Sequence, residues 1–218
     1  MPLALAGCNE ALSVVAPAGP AAAAIATLWW VMLAGAALIC LLVAGLLWGA
    51  FRSRPVADGA DGARGERVWI HGLGLAFPFA VLAALLFYGL WVGERLMPRA
   101  GSDVVSVSAV AQRWIWSFGY DDAEGRVTQG VLHIPAGRPV DVAITTRDVI
   151  HSFWVPRLAG KLDAIPGHVN VLRLEADRPG VYAGLSAEYS GAGYAGHHFE
   201  VHAHDAAGWS AFLRGERP

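Results

Sequence analysis

Two stretches without a single Asp, Glu, Lys or Arg limit what this chain can become. They are residues 21–51, 31 positions long, and residues 68–93, 26 positions long, where His71 is the only group that titrates near neutrality. A helix needs roughly 20 apolar residues to cross the hydrocarbon of a bilayer. Each stretch therefore predicts a transmembrane helix, and the two together a membrane hairpin. Pro78 lies inside the second and predicts a local break in its hydrogen bonding. Trp29, Trp30, Trp48, Trp69 and Trp91 lie toward the ends of the stretches, as side chains at a membrane interface do. Hydrophobic residues make up 55% of the 218-residue chain and charged residues 16%, which agrees with membrane spans rather than an ordinary soluble domain. A formal net charge of -2 gives no reason to expect a nucleic-acid partner.

The linker between the spans carries Arg52, Arg54, Arg64 and Arg67, whereas residues 1–20 have no Lys or Arg. The excess of arginine places the linker in the cytoplasm and both termini on the outer side. The expected organisation is a short outer segment 1–20, a helix hairpin 21–98 with its cytoplasmic loop at 52–67, and an outer domain 99–218. Residues 1–8 read M-P-L-A-L-A-G-C. L-A-G-C is similar to the bacterial lipobox, whose cysteine is cleaved free and acylated. Cys8 is thus a candidate lipidation site, or else a plain cysteine in an N-terminal tail.

Beyond Pro98 the pattern changes to short runs of β-formers separated by Gly and Pro. Strands are expected at 104–110, 112–120, 127–134, 139–146, 153–155, 168–175, 181–186 and 199–204, with a short amphipathic helix at 206–213. Short strands at this spacing predict an all-β sandwich. One stretch stands out, Y-A-G-L-S-A-E-Y-S-G-A-G-Y-A-G-H-H-F-E-V at 182–201, a glycine-punctuated loop between two strands.

Six motifs in combination carry a resemblance: the lipobox, the helix hairpin, W-I-W-S at 114–117, V-I-H-S-F-W-V-P at 149–156, D-A-I-P-G at 163–167, and that loop 35 residues after His151. Together they resemble subunit II of the haem-copper respiratory oxidases, whose outer domain is a cupredoxin-like sandwich. In that family the loop reads Cys-x-Glu-x-Cys, then His and Met, and with an upstream His it holds the binuclear copper site called CuA. Laid on this chain, the two cysteines fall on Ser186 and Ser190, the His on Tyr194 and the Met on His197. Glu188 and the upstream His151 are kept. Two bridging thiolates are needed because soft ligands hold reduced copper, and a serine hydroxyl is neither soft nor ionised. The only cysteines are Cys8 and Cys40, and no methionine follows Met97. The resemblance therefore implies a subunit II without CuA. The tract S-A-E-Y-S-G-A-G-Y-A-G looks like the quinol oxidase branch, cytochrome bo type, while H-S-F-W-V-P-R-L-A-G-K-L-D-A-I-P-G reads more like the cytochrome c oxidases.

The same resemblance assigns roles to single residues. Glu188, with Asp163 nearby in the family fold, is a candidate ligand for a magnesium ion at the interface with subunit I, or a solvated loop acid. Glu66, in E-R-V-W, is a candidate for the cytoplasmic entry of a proton path, or an acid favoured by the helix dipole. His197, His198, His202 and His204 allow a replacement metal site, with His202 and His204 on one strand face, or they are surface histidines. Trp114 and Trp116 match the aromatic run by which copper-bearing relatives receive electrons, and packing is their alternative role.

The expected function is subunit II of a proton-pumping terminal quinol oxidase in the bacterial inner membrane. Its partners would be subunit I and subunits III and IV. The chain itself would bind no cofactor, with haems and copper in subunit I and a magnesium ion at the interface as the one addition. Two alternatives stay open: a degenerate subunit II of an oxidase fed directly by cytochrome c, and a membrane-anchored cupredoxin-like binding or assembly protein.

Overall fold

The structure, a computed structural model, describes residues 10–52, 65–99, 101, 103–123 and 125–216. Cys8, Arg54 and Arg64 lie outside the described residues. The chain forms two compact units, one of residues 28–95 and one of residues 1–27 with 96–218.

The first unit is helical. Helix α1 runs Pro20–Arg52, its first turns belonging to the other unit, and α2 runs Arg67–Leu96. Both are long and apolar enough to cross a membrane. Their large side chains, among them Leu38, Leu41, Phe79 and Phe87, face outward. That is costly in water but suits a surface solvated by lipid. Helix α2 begins with wide turns over Arg67–Ala76, in which the Phe77 N–H donates to the Gly72 carbonyl five residues back. Pro78 has no N–H to give Gly74, and the widened turns lie directly ahead of it. The sequence predicts a break there, and it takes this form. Near the C-terminal ends of the helices, Arg52 covers the ring of Trp48 at 4.7 Å and Arg95 that of Trp91 at 3.6 Å.

The second unit is a sandwich of two five-stranded sheets. Its strands are β1 (Val105–Gln112), β2 (Ile115–Tyr120), β3 (Val127–Gln129), β4 (Val131–Pro135), β5 (Val140–Thr146), β6 (His151–Trp154), β7 (Leu162–Ala164), β8 (Asn170–Leu174), β9 (Gly180–Ser186) and β10 (His198–His204), followed by helix α3 (Ala206–Leu213). One sheet has the order β3-β2-β1-β5-β8 and the other β4-β10-β9-β6-β7. The β1–β5 and β4–β10 pairs are parallel and the rest antiparallel. Strict alternation in β1, β5 and β10 sends Val105, Val107, Val140, Val142, Ile144, Val201 and Ala203 inward. Trp116, Phe118, Phe153 and Phe199 fill the space between the sheets, with ring centroids 4.8 to 6.5 Å apart.

The expected strands need two corrections. The run 127–134 is not one strand: Gly130, at φ 70°, turns the chain so that β3 stays in one sheet and β4 crosses to the other. Only glycine enters that region without strain. The run 112–120 is also divided, with Gln112 paired to Ile115 across a turn that holds Arg113 and Trp114. Strand β7 is too short and too polar to show a period of two in the sequence.

The segment ahead of α1 is hydrogen-bonded to the sandwich. Ala18 N–H donates to the Arg157 carbonyl at 2.7 Å, Arg157 Nε–H to Ala16 at 2.8 Å, and Asp177 N–H to Ala18 at 2.9 Å. Gly19 lies against the Glu175 carbonyl with no room for a Cβ.

Candidate functional site

The residues aligned by the loop reading meet at one end of the sandwich. Ser186 closes β9, and its N–H donates to the His197 carbonyl at 2.9 Å; Ala187 N–H donates to the Ser152 carbonyl at 3.0 Å. The first bond joins the start of the loop to its end, and the second ties the start to β6. His151 lies at the start of β6, and Ser152 follows it. Between its ends the loop makes a single tight helical turn at Tyr194–Gly196. Gly193, at φ 120°, places its Cα so close to the Trp114 ring that a Cβ would meet Cε2 at 3.0 Å. Glycine is required there both for the backbone and for the indole that covers it.

His151, Ser152, Ser186, Ser190 and His197 are all buried. His151 and His197 have ring centroids 5.1 Å apart, and Trp116 stacks on His197 at 5.7 Å. Tyr194, where the family has a histidine ligand, turns outward and packs edge-on against Tyr189 at 5.2 Å. His197, where the family has methionine, turns inward. Of the four aligned positions, Ser186, Ser190 and His197 are buried and Tyr194 is exposed.

The pocket is polar and unsatisfied. Ser152 Oγ, Ser186 Oγ, Ser190 Oγ, His151 Nδ1 and both ring nitrogens of His197 are buried without a hydrogen-bond partner, as is Trp116 Nε1. Such groups are rare in folded proteins, and each costs about 1–3 kcal/mol if left dry. His151 Nε2 is 2.9 Å from Asp148 Oδ1. Asp148 also accepts from Arg113 N–H at 2.9 Å, Val149 N–H at 2.7 Å and Thr146 Oγ1 at 3.1 Å. Burial alone would raise its carboxyl, but the Arg113 N–H, the His151 ring, the Val149 N–H and the Thr146 hydroxyl outweigh it and hold it well below the usual carboxylate range. An ionised Asp148 can only accept, so His151 Nε2 donates to it and the ring is held in place. Burial, and then neighbouring His151, push His197 below the ordinary imidazole value, while the Ile115 main chain pulls it the other way. The His197 ring is thus suited to the neutral form.

This donor set offers two imidazoles and three hydroxyls. It has no thiolate or thioether, so it does not fit a binuclear copper centre, in which two sulfurs bridge the ions.

The other residues singled out in the sequence stand elsewhere. Glu188 is on the loop surface, where its Oε1 accepts from Tyr189 N–H at 3.0 Å and its Oε2 is 4.0 Å from Lys161 Nζ. Asp163 lies in β7, and its carbonyl accepts from Asn170 at 2.7 Å. Glu66 precedes α2, exposed, and its side chain makes no capping bond. Trp116 is wholly buried, whereas Trp114 is 38% exposed, so packing in the core accounts for the first alone. His202 and His204 share the outer face of β10, as their spacing predicts. Among the described residues, no three histidine, cysteine or acidic side chains are arranged ready to hold a metal ion. Sequence reasoning missed Asp148, Ser152 and His133. The first two lie three residues before and one residue after His151 in the R-D-V-I-H-S run. His133 gives no sequence signal, because a parallel strand pairing brings it to the others.

Comparison with known proteins gives consistent likenesses. The profile of the family "Cytochrome C oxidase subunit II, periplasmic domain" matches residues 126–202. The chain is 36% identical over 118 residues to a cytochrome c oxidase subunit 2 of Alkalihalophilus pseudofirmus, covering 54% of this chain and 34% of that protein. It is 30% identical over 211 residues to a quinol oxidase subunit 2 of Bacillus cereus, covering 91% and 71%. It is 34% identical over 138 residues to a cytochrome bo(3) ubiquinol oxidase subunit 2 of Pseudomonas putida, covering 62% and 42%. The first and third relatives thus extend well beyond the part this chain matches. Among solved structures, the periplasmic domain of subunit II of cytochrome oxidase from Bradyrhizobium japonicum superimposes with TM-score 0.49 at 21% identity, covering 55% of this chain and 96% of that one.

Proposed function

This chain belongs to the subunit II family of the haem-copper respiratory oxidases and resembles its quinol oxidase branch, and from that membership we propose that it is subunit II of a terminal quinol oxidase and holds no CuA. One observation carries the reading: serine hydroxyls at 186 and 190 and an imidazole at 197 stand buried where soft sulfur ligands would have to be. Without a copper centre the outer domain has no electron acceptor of its own. A soluble protein donor docked on it would face an insulating cap. A quinol dissolved in the membrane reaches subunit I directly, and O₂ is reduced to water there. In this reading the haems and the remaining copper belong to subunit I. The present chain supplies the helix hairpin, the cap and contacts to subunits I, III and IV.

Three further assignments go with it. Both termini face the periplasm, which the arginines of the linker support. The hydrogen bonds of Ala18 to the sandwich support a common side for the N-terminal segment and the outer domain. Cys8 serves as a lipid anchor, and the chain divides into an outer segment 1–20, a hairpin 21–98 and an outer domain 99–218. Glu66 collects protons at the cytoplasmic start of α2, and the lack of a capping bond leaves its carboxylate free of that duty. Glu188 is the hard oxygen ligand this chain would offer a magnesium ion shared with subunit I; magnesium takes few ligands from one chain, and a half-exposed carboxylate is a suitable one.

The test is donor preference. The purified complex should consume O₂ rapidly with a ubiquinol analogue and little with reduced cytochrome c. Fast cytochrome c oxidation without quinol activity would overturn the proposal in favour of direct delivery to subunit I. Purification without any haem protein would favour a binding or assembly role.

A further inference from the structure

On the outer face of the second sheet, β4 and β10 run parallel with His133 directly opposite His202, while Leu132, Ile134, Val201 and Ala203 point into the core. His204 follows two residues after His202 on the same face. The His133 ring centroid is 5.4 Å from that of His202 and 5.1 Å from that of His204. His133 Nδ1 and His204 Nε2 share a proton at 2.8 Å. His202 Nε2 is bonded to Glu200 Oε2 at 2.9 Å, which leaves its Nδ1 for another partner. Phe212 of α3 stacks on His133 at 4.4 Å and limits the positions of that ring.

We propose that His133, His202 and His204 form a binding site for one late divalent transition ion, of the class of Zn²⁺ or Cu²⁺, separate from the pocket of His151 and His197. Three imidazoles from a His-x-His strand and its neighbour suit such ions, which prefer nitrogen donors and accept water as a fourth ligand. Zinc–nitrogen bonds of 2.0–2.1 Å in tetrahedral geometry separate ligand nitrogens by roughly 3.3 Å. The His133–His204 pair is about half an ångström short of that, because a proton now joins the rings. The ion takes the place of that proton, which passes to the far nitrogen of its own ring by a change of tautomer, so the ligands need not change charge. Glu200 has the role of a carboxylate that orients a ligating histidine through its other nitrogen. As they stand the three rings do not converge on one point; His202, 33% exposed at its side chain, must turn toward the His133–His204 pair for the site to close.

The test uses the full chain in detergent, purified without a polyhistidine tag, stripped with chelator and titrated with Zn²⁺ alone. One equivalent should bind. His202→Ala, a surface change that leaves the core intact, should weaken binding by about tenfold or more, and Glu200→Gln by about tenfold, as loss of an orienting partner does. His198→Ala and His168→Ala should leave it unchanged. Co²⁺ in place of zinc should give the visible absorption of a tetrahedral ion in the wild type and lose it in His133→Asn. Zinc binding unaltered by His202→Ala, absence of a saturable equivalent, or binding that follows His198 would each overturn the proposal. None of these readouts depends on oxidase activity or on the electron donor.

Discussion

His151 and His197 stand edge to face with ring centroids 5.1 Å apart, both closed off from solvent. His151 is hydrogen-bonded to Asp148. Around them Ser186 and Ser190 keep buried hydroxyls with nothing to bond to. Removing an unsatisfied buried polar group is neutral or favourable. The double substitution Ser186→Ala, Ser190→Ala should therefore leave stability unchanged or raise it by about 1 kcal/mol, measured by chemical denaturation of the purified chain. A loss of stability would mean that trapped water satisfies both hydroxyls.

Copper chemistry should return with the donors. The wild-type chain mixed with copper should show no purple mixed-valence species in visible and EPR spectra. The quadruple variant Ser186→Cys, Ser190→Cys, Tyr194→His, His197→Met should show one, because His151 and Glu188 are retained in the sequence. The Tyr194 position now faces outward. The triple variant that keeps tyrosine there should therefore give a weaker or altered signal.

Asp148 joins Arg113, Thr146, Val149 and His151 through four hydrogen bonds. Asp148→Asn keeps the shape but removes the charge and turns one oxygen into a donor. It should cost about 2 kcal/mol at pH 7, the scale of a charge-assisted network losing its anion. The folded carboxyl lies below its unfolded value, so its contribution is complete above the ordinary carboxylate range and is lost as pH falls through and below it. The gap between wild type and variant should accordingly shrink below about pH 4. Denaturation midpoints at pH 7, 5 and 3.5 test this, and a constant gap would contradict it.

Glu66→Ala should slow turnover while leaving haem content and assembly as they are. The carboxylate is exposed at the start of α2 and caps no N–H, so its removal should cost little stability. Turnover and haem reduction kinetics equal to wild type would remove it from the proton path.

How much of this was legible in the sequence differed by element. The spans were plain, since uncharged runs of 31 and 26 residues have few other uses. Most strands were found where burial alternates, as in β5 and β10. The division at Gly130 was not, because a glycine within a run of β-formers gives no sign of which sheet the next residues join. The loop revealed its lost donors because each ligand has a fixed offset from His151 and Glu188. It did not reveal which side chains face inward: Tyr194 and His197 differ in that only through the folded turn at Tyr194–Gly196. His133 and His202 are 69 residues apart in sequence and paired in space, a relation that no local pattern encodes.

The bonds between Ala18 and the residues at Arg157 and Asp177 bring a stretch made early in synthesis together with one made late. They can form only when both have arrived in the same compartment. A chain whose second helix failed to cross would leave the two partners separated by a hydrocarbon layer roughly 30 Å thick, with the Gly19 seat against Glu175 vacant. The clasp therefore requires the segment ahead of α1 and the sandwich to lie on the same side of any membrane the two helices cross.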